Sequence, residues 1–444
     1  MKILIATPID SRSAIGRVSV SVAENLVQLG YTVKLVALDH ETPPLSARHA
    51  TRLPLEPWRT VDLAAVRAGE EVLVANIGDH FPFHAGVYRL LEEAPTIGVF
   101  HDFYLYNLFW GRLVSAHGVS EAAGLLHDQA VLDLYGRQTA ELARAARHGA
   151  LAQSRIAAEL PMTEWFAGRC CAALAHSAFY VPRLSNHCPG PVSVAALPWG
   201  SRDVPPLPRR RSRILTAMTI GVLNRNKCVE EVLRAIAASS VLRLCLRYQL
   251  VGPIEPHERA RLEALVAELE LVNVVFHGAV DDATLAEHLQ RTDVICCLRK
   301  PVLEGASASA IEGLLSGRPV IVADAGFYAD LPDEFVYKVA PDVPVEALTQ
   351  VLESLVSDEP ERRRMGAKAR AWATAQFSLP QYSESLLNLI ADAQQAAVVI
   401  EAARSLGADL RALGITEGDP VVDRLDLALQ VFGGGDATRV PLSR

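Results

Sequence analysis

The length, composition and charge of the chain exclude several classes of protein. Its 444 residues are 50% hydrophobic and 21% charged, which is typical of a soluble globular enzyme with room for two domains. The formal net charge of −8 argues against a surface built to bind nucleic acid, so we expect no nucleic-acid partner.

The first half of the chain alternates short apolar strands with helices. The strand KILIATPI, the helix RVSVSVAENLVQLG that ends at Gly30 and the strand YTVKLVALD are followed by EVLVANIG, HAGVYRLLEEA and TIGVFHD. This alternation predicts a parallel sheet that is covered by helices on both faces. A long helical stretch from about residue 119 to 157, then CAALAHSAFYV and PVSVAALPWG, complete the unit near Gly200.

A linker and a second alternation of strands and helices follow. The segment SRDVPPLPRRRSR is rich in proline and charge, and we interpret its basic run, 208–213, as solvated linker, with contact to anionic lipid as the alternative. From ILTAMTIGVL to PVIVAD, predicted strands again alternate with predicted helices. We therefore predict two Rossmann-like doubly wound domains facing each other across a cleft.

The predicted domain limits are residues 1–203 for the first domain and 204–378 for the second. A helix starts in FSLPQYSESLLNLI, where Ser378 is the expected N-cap and Pro380 lies in the first turn. We predict that residues 379–444 form helices that cross back to the first domain, with a separate helical tail at about 403–432 that ends in GGGD.

The cysteine content and the N-terminal sequence indicate the cellular compartment of the protein. The seven cysteines lack CxxC or Cys/His ligand spacing, which predicts reduced, mostly buried thiols. The chain begins directly with a strand pattern, and no apolar run reaches the ~18 residues of a spanning helix. We expect a cytoplasmic protein, with any membrane contact peripheral at the inner face of the plasma membrane.

Several common catalytic signatures are absent from the sequence. There is no GxGxxG, GxxxxGK[ST], HExxH or GxSxG motif, and no DxD pair that could hold a metal-bound diphosphate. This argues against a nicotinamide enzyme, a P-loop NTPase and a zinc hydrolase.

The stretch GVLNRNKCVEEVL places Arg225 and Lys227 at the entrance to a helix. Cations at a helix N-terminus oppose its macrodipole by up to about 1 kcal/mol, so we expect a negative group there. A phosphate would satisfy both side chains and the free amides of the first turn. The alternative is an exposed turn whose basic residues reach into water.

A second candidate anion site is EGASASAIE, residues 304–312, between the strand VICCL and a helix. Its small residues allow close approach of the backbone, and the amides of Ala306, Ser307 and Ala308 can point at a ligand from the helix N-terminus. Glu304 ends the turn and Glu312 lies about one turn inside the helix. The alternative is a capping box of Ser309 and Glu312, with Glu304 an ordinary loop carboxylate.

The order of these motifs resembles the GT-B retaining glycosyltransferases of family 4 over roughly residues 1–390. The segment DHFPFHAGVYRLLEEAPTIGVFHDF is similar to one that ends in a His-Asp pair in many members of the family. The segment CLRKPVLEGASASAIEGLLSGRPVIVADAGFYADLPD is similar to the nucleotide-sugar segment of the family.

The resemblance implies roles for two residues in the first domain. Gly16, in the loop SAIGR, matches the glycine loop whose backbone meets the donor diphosphate or the acceptor. His101, in FHDF, matches the histidine near the transferred sugar and is expected to be catalytic. The alternatives are a plain turn glycine and a core histidine at a strand end.

In the second domain, the resemblance implies a donor site. Arg225 and Lys227 match the diphosphate-binding pair, but the family's arginine directly follows the glycine, where this chain has Val222, so Lys227 is the safer assignment. Glu304 matches the glutamate that contacts the donor sugar, and Glu312 the one that holds the ribose hydroxyls. The family has an aromatic, a glycine and a proline between these glutamates, whereas this chain has only small residues there.

These roles imply a metal-independent retaining hexosyltransferase that needs no cofactor. Its donor is a nucleoside-diphosphate sugar, and its acceptor a glycan, a glycolipid or another bacterial cell-surface or secondary-metabolite molecule. Lys227, Arg225 and the amides of residues 306–308 would stabilise the leaving diphosphate, while Glu304 orients the sugar. Two alternatives stay open: a catalytically inactive sugar-nucleotide-binding regulatory partner, and a GT-B epimerase or phosphorylase.

The aromatic stretch FYLYNLFWGRL after His101 suggests a weak peripheral membrane contact. An amphipathic insertion there could help the protein to reach a lipid-linked acceptor. The alternative is an acceptor pocket with a buried helix pair.

Overall fold

The computed structural model describes residues 1–200, 204, 205, 207, 214–415 and 419, and these form two compact units. Unit 1 comprises Met1–Ala195, Leu303–Gly305 and the chain from Leu379 onward, while unit 2 comprises Ala196–Val302 and Ala306–Ser378. The first continuous stretch of unit 1 therefore ends at Ala195, whereas the predicted boundary lies at residue 203. The predictions for the basic run 208–213 and for the GGGD tail lie outside the described residues.

Unit 1 contains a seven-stranded parallel sheet in the order β3-β2-β1-β4-β5-β6-β7. Its strands are β1 Lys2–Thr7, β2 Thr32–Ala37, β3 Leu55–Pro57, β4 Glu71–Ile77, β5 Thr96–Phe100, β6 Ala172–Ala175 and β7 Val192–Val194. The strand order reverses between β1 and β4. At such a point the loops that leave neighbouring strands part to opposite faces and open a crevice for ligands.

Capping side chains and glycines with positive φ set several helix ends in unit 1. The first begins at Ala14, three residues earlier than predicted, because Ser13 caps it. The predicted stretch 119–157 is three helices, interrupted at Gly136 and Gly149, both with positive φ. The α-helices are Ala14–Gln28, Ala64–Arg67, Phe81–His84, Val87–Glu93, Tyr106–His117, Glu121–Tyr135, Ala140–Arg147, Gln153–Glu159, Thr163–Ala167, Val181–Ser185 and Leu379–Ala412.

Unit 2 contains a six-stranded parallel sheet in the order β10-β9-β8-β11-β12-β13. Its strands are β8 Leu215–Ile220, β9 Leu246–Val251, β10 Val274–Gly278, β11 Val294–Cys297, β12 Val320–Ala323 and β13 Tyr337–Val339. Its α-helices are Val229–Ala238, Ser240–Cys245, Pro256–Glu268, Asp282–Arg291, Ala308–Leu315, Val345–Ser357 and Glu359–Gln376. The predicted fold class, two doubly wound units with a helical C-terminal extension, is confirmed.

The long helix Leu379–Ala412 belongs to unit 1. It contacts the helix Ala14–Gln28 and strands β6 and β7, and it buries Leu386, Leu389 and Ile390 there. The predicted helical tail from about residue 403 starts inside this helix, which continues without a break to Ala412, and its part from residue 420 lies outside the described residues.

The aromatic stretch after His101 lies in the core of unit 1. Tyr104, Tyr106, Leu108 and Phe109 are each at most 5% exposed and pack in one hydrophobic cluster. These side chains therefore pack in the core of unit 1, which agrees with the alternative of a buried helix pair and not with insertion of this stretch into a membrane. Among the described residues, no helix combines the length and apolar character needed to cross a membrane.

The segment Leu303–Gly305 joins unit 1, although it was predicted to lie in the second domain. Gly305 N–H donates to the His101 carbonyl at 2.8 Å, and the N–H groups of Phe103 and Tyr104 donate to the Leu303 carbonyl at 3.0 Å. Asp102 and Glu304 form an antiparallel bridge. Main-chain hydrogen bonds thus attach Glu304 to the end of β5.

Gly305→Ala should disturb this attachment. A Cβ at this position would stand 2.5 Å from the Tyr180 hydroxyl, which is fully buried and donates to the Phe100 carbonyl. We expect a loss of about 1–3 kcal/mol in the free energy of unfolding, measured by urea denaturation. Gly200→Ala is the control, since a Cβ there meets nothing within 4 Å. Equal stability of the two variants would contradict the packing argument.

Candidate active site

Four polar residues follow the carboxyl ends of β4, β5 and β6 in unit 1. Asn76 lies near the end of β4, His101 and Asp102 directly follow β5, and His176 directly follows β6. Because these strands are parallel neighbours, their carboxyl ends meet at one edge of the sheet. Of these residues, the sequence analysis had singled out only His101.

The imidazole of His101 is buried, and both of its nitrogens are engaged. Nε2 lies 2.8 Å from Asn76 Oδ1, and Nδ1 lies 3.2 Å from His176 Nε2. Loss of solvation lowers the pKa of His101 well below its usual value, and the imidazoles of His176 and His84 add to this effect. The ring is neutral at physiological pH and is held on both sides.

Asp102 is an acid with an unusual pKa beside Glu304. Burial, opposed by a hydrogen bond from the Asp79 N–H and reinforced by the charge of Glu304, raises the pKa of Asp102 to about 7. Burial also raises the pKa of Asp79 well above its usual range. The end of β5 therefore carries a group of carboxyls that resist ionising together.

The raised pKa of Asp102 makes the stability of the protein pH-dependent. The folded state holds the proton more tightly than the unfolded state, so the contribution of this group is full below about pH 4 and is lost as pH rises to about 7. Asp102→Asn should remove this slope, which amounts to roughly 1–4 kcal/mol.

Urea denaturation at several values between pH 4.5 and 8 tests this prediction. The control is Asp392→Asn, because Asp392 is exposed on the helix Leu379–Ala412. If Asp102→Asn and the wild-type protein lose stability in parallel over this range, Asp102 does not titrate as described.

Gly16 lies in the first helical turn and not in a loop before the helix, as had been predicted. Its N–H donates to the capping Ser13 hydroxyl at 3.1 Å. A Cβ on Gly16 would stand 2.3 Å from the Pro8 carbonyl oxygen and 2.9 Å from the ring of His49. Close packing of β1, its loop and the helix explains the glycine without a ligand.

A cavity of about 470 Å³ opens in unit 1, near the carboxyl ends of β1 and β2. Its wall combines carboxylates, a guanidinium group and an apolar surface of Phe83 with several prolines. Arg12 donates to both carboxylate oxygens of Asp10, at 2.8 and 2.9 Å. Such a wall suits a ligand with several hydroxyl groups and an apolar face.

In unit 2, the structure separates the two predicted phosphate-binding cations. Lys227 is 7% exposed, and its ammonium group donates to the carbonyl of Ile220, the last residue of β8. The side chain of Arg225 is 80% exposed, and its Nε lies 3.9 Å from the Glu258 carboxylate. Only Lys227 is therefore held at the carboxyl edge of the sheet, while Arg225 fits the alternative of an exposed turn.

Arg299 is a buried cation that the sequence analysis missed. It follows β11, the neighbour of β8, and is 6% exposed. Its Nη2 donates to the Ser309 hydroxyl at 3.2 Å. The loops that carry Arg299 and Lys227 are joined by a hydrogen bond of 2.8 Å from the Lys300 N–H to the Asn226 carbonyl. Both cations therefore lie where the strand order of this sheet reverses.

The helix Ala308–Leu315 is capped by Ser307 and not by Ser309. The Ser307 hydroxyl accepts from the Ala310 N–H at 3.3 Å, so the capping-box alternative for Ser309 and Glu312 is wrong. Glu312 is 4% exposed, and the Trp199 indole N–H donates to its carboxylate at 2.8 Å. Trp199, which directly precedes Gly200 and the predicted linker, thus orients the Glu312 carboxylate.

The site residues fall into three groups. His101 and Glu304 come together in unit 1. Lys227, the turn Ala306–Ala308 and Glu312 lie on the carboxyl side of the sheet in unit 2. Gly16 and Arg225 have local structural partners instead. Within the residues that the structure describes, no three His, Cys, Asp or Glu side chains are grouped so that they could hold a metal ion.

These contacts involve further residues that the sequence motifs did not indicate. Asn76, Asp102 and His176 are polar residues at or just after the ends of apolar strands, and Arg299 occupies the same kind of position. This pattern could have singled them out. Nothing in the sequence around Trp199 indicates its contact with Glu312.

Comparison with known proteins finds a family match for residues 210–372. Residues 210–372 match the family described as Glycosyl transferases group 1. The MMP alpha-(1->4)-mannosyltransferase of Mycolicibacterium hassiacum is 32% identical over 173 residues, which cover 38% of this chain and 40% of that protein. The chain therefore matches less than half the length of this relative. The predicted resemblance is confirmed for group 1, whereas family 4 stays a prediction.

Several solved glycosyltransferase structures share the fold over most of the chain. Sucrose-phosphate synthase from Thermosynechococcus elongatus matches with a TM-score of 0.57 and 17% identity, covering 88% of this chain and 98% of that one. HepE of Anabaena, in complex with UDP and glucose, matches with a TM-score of 0.57 and 14% identity over 88% and 99% of the two chains. These likenesses establish a GT-B fold.

Proposed function

From the premise that residues 210–372 belong to the group 1 glycosyltransferases, we propose that the chain transfers a hexose from a nucleoside-diphosphate sugar to a hydroxyl-bearing acceptor, with retention of anomeric configuration. The observation that carries the proposal is the carboxylate of Glu312, which is buried and held by the Trp199 indole on the carboxyl side of the unit 2 sheet. A fixed carboxylate of this kind can accept hydrogen bonds from two ribose hydroxyls.

Lys227 and the first turn of the helix Ala308–Leu315 support a role in binding the diphosphate. Negative charge develops on the departing diphosphate, and preorganised positive groups lower the barrier for its departure. Lys227 is held in place by its bond to the Ile220 carbonyl. In the first helical turn, the Ala310 N–H donates to the capping Ser307 hydroxyl, while the amides of Ala308 and Ser309 precede the regular hydrogen bonds of the helix. These groups can act without a metal ion.

Glu304 is proposed to orient the transferred sugar and to support the positive charge at its anomeric carbon. The main-chain bonds of Leu303–Gly305 fix the backbone of Glu304, and its Oε2 accepts from the Leu303 N–H at 3.3 Å. His101 has both ring nitrogens engaged by Asn76 and His176, so we do not assign it a contact with the sugar.

The acceptor is proposed to be a glycan, a glycolipid or another polyol. The cavity near the carboxyl ends of β1 and β2 supports this class, because its carboxylates can accept hydrogen bonds from hydroxyls while Phe83 covers an apolar face. We propose polysaccharide biosynthesis as the biological setting.

A panel of nucleotide sugars tests the proposed function. GDP-mannose and UDP-glucose come first, because related proteins act on mannose or bind UDP-glucose. We expect one donor to raise the melting temperature and then to support formation of an acceptor-dependent α-glycoside, identified by NMR. Binding without any product would indicate an inactive regulatory partner, and acceptor-independent conversion of the donor would indicate an epimerase. Absence of binding to the whole panel contradicts the proposal.

Removing the carboxylate of Glu312 should act on donor affinity. Hydrogen bonds to a charged group contribute about 1.5–3 kcal/mol, so Glu312→Ala should weaken donor binding roughly ten- to a hundred-fold. Trp199→Phe removes the indole donor and keeps the ring, so we expect a smaller loss of about ten-fold. Calorimetric titration with the donor measures both effects. The exposed Glu334→Ala is the matched control, and unchanged affinity in Glu312→Ala rejects the ribose assignment.

Replacing Glu304 should act on turnover. Glu304→Gln keeps the size of the side chain and removes its charge, so the single-turnover rate should fall by ~10²-fold or more while donor affinity changes little. Glu70→Gln, an exposed glutamate of the same unit, serves as the control. Normal turnover in Glu304→Gln would show that its charge is not needed.

A further inference from the structure

A second cavity, of about 610 Å³, lies in unit 2. The helix Glu359–Gln376 forms one side of it with Arg363 and Arg370, and the segment that precedes β8 forms the other side with Val204 and Leu207. The volume is within the range of about 300–1,000 Å³ that is typical of sites for small molecules. None of the described residues in its wall belongs to the proposed donor or acceptor sites, so its role is open.

The charge of the wall favours an anionic ligand. Arg363 and Arg370 are both cations, and the described part of the wall contains no carboxylate. The rest of the wall is small or apolar apart from Thr374, whose hydroxyl donates to the Arg370 carbonyl at 2.8 Å. The Thr374 oxygen can therefore accept a hydrogen bond from a ligand hydroxyl. These groups suit an anion that also carries hydroxyl groups.

Arg362, Arg363 and Arg364 are consecutive on the helix, and Arg363 is the one that lines the cavity. Arg362 Nη1 donates to the Leu355 carbonyl, and Arg364 pairs with Glu361. The Arg363 Nε–H is buried and has no hydrogen-bond partner among the described residues. Buried donors are nearly always paired in native proteins, because an unpaired donor lowers stability. A ligand acceptor in the cavity would supply the partner.

The spacing of Arg363 and Arg370 matches a ligand with two anionic groups. Seven residues are about two helical turns, so the two side chains leave the same face of the helix about 10 Å apart along its axis. Arg370 Nη1 donates to the Val204 carbonyl at 2.7 Å, which holds this guanidinium group at the cavity. A guanidinium group can donate two parallel hydrogen bonds to one phosphate. We propose that the cavity binds a small molecule with two phosphate groups, such as a sugar bisphosphate, with one phosphate at each arginine.

The wall of the cavity is built on the elements that hold Glu312. Gly317, in the wall, lies two residues after the helix that carries Glu312. The helix on the arginine side ends next to Phe377, whose carbonyl accepts from the Trp199 N–H at 3.1 Å. A bisphosphate that orders these elements should raise donor affinity about five-fold or more, an effect that rests on the proposed function.

Calorimetric titration of the full chain with fructose 1,6-bisphosphate tests the site directly. Each guanidinium–phosphate contact is a hydrogen bond between charged groups, so Arg363→Gln and Arg370→Gln should each weaken binding roughly ten- to a hundred-fold. Lys368→Gln is the matched control, because it removes an exposed cation of the same helix outside the wall, and its affinity should stay within about two-fold of wild type. Equal weakening in all three variants would indicate attraction to net charge alone and overturn the proposal.

Lys227→Gln separates this cavity from the proposed diphosphate site. Its bisphosphate affinity should stay within about two-fold of wild type, because Lys227 is not part of the wall. Lost binding in Lys227→Gln with unchanged binding in Arg363→Gln would place the bisphosphate at the donor site and overturn the proposal. Absence of binding to the wild-type protein also overturns it. In that case, binding to phosphatidylglycerol vesicles that requires Arg363 would assign this arginine to a lipid surface.

Thermal unfolding tests whether Arg363 has a structural role instead. Arg363→Met keeps a long apolar side chain and removes the unpaired donor, so its melting temperature without ligand should equal or exceed that of wild type. The bisphosphate should raise the melting temperature of the wild-type protein but not that of Arg363→Met. A lower melting temperature of the ligand-free variant would show that Arg363 stabilises the fold and would contradict its assignment to a ligand.

Donor titrations with and without saturating fructose 1,6-bisphosphate measure the coupling between the two sites. Unchanged donor affinity would overturn the coupling. If no nucleotide sugar binds the wild-type protein, the proposed function fails, while the titrations with the bisphosphate still decide whether the cavity is an anion site.

Discussion

The hydrogen bonds between Leu303–Gly305 and the end of β5 are the interaction on which the candidate active site of unit 1 depends. They involve only main-chain groups, so they set where Glu304 stands without using its carboxylate. The Tyr180 hydroxyl lies against Gly305 and excludes any side chain there, which explains the glycine that follows Glu304. The two glutamates of EGASASAIE consequently belong to different compact units.

Burial of polar groups at the strand ends shapes the chemistry of both units. In unit 1 it keeps the imidazoles neutral and raises the pKa of Asp102, so this region carries little charge below neutral pH. In unit 2 the buried groups include the cations Lys227 and Arg299, which lie where the strand order reverses.

Some residues that the sequence motifs singled out have local partners in the folded chain that the sequence did not indicate. Arg225 was assigned to phosphate because it precedes a helix, but its side chain extends into solvent near Glu258. The capping box of Ser309 and Glu312 fits the spacing rule, yet Ser307 reaches the helix amides first and leaves Glu312 to Trp199. Gly16 serves tight packing of the first strand and helix, a requirement that its loop-like surroundings in the sequence did not reveal.

The sequence by itself determined the two alternating α/β units, most of their strands and the motifs around Lys227 and Glu312, because apolar periodicity and helix signals are local properties of the chain. Only the tertiary structure decided that Glu304 joins unit 1, that Trp199 holds Glu312 and that Asn76, His101 and His176 form one row. These contacts join residues far apart in the chain, and they arise from the order of strands in each sheet. That order is a property of the folded molecule, which no local pattern encodes.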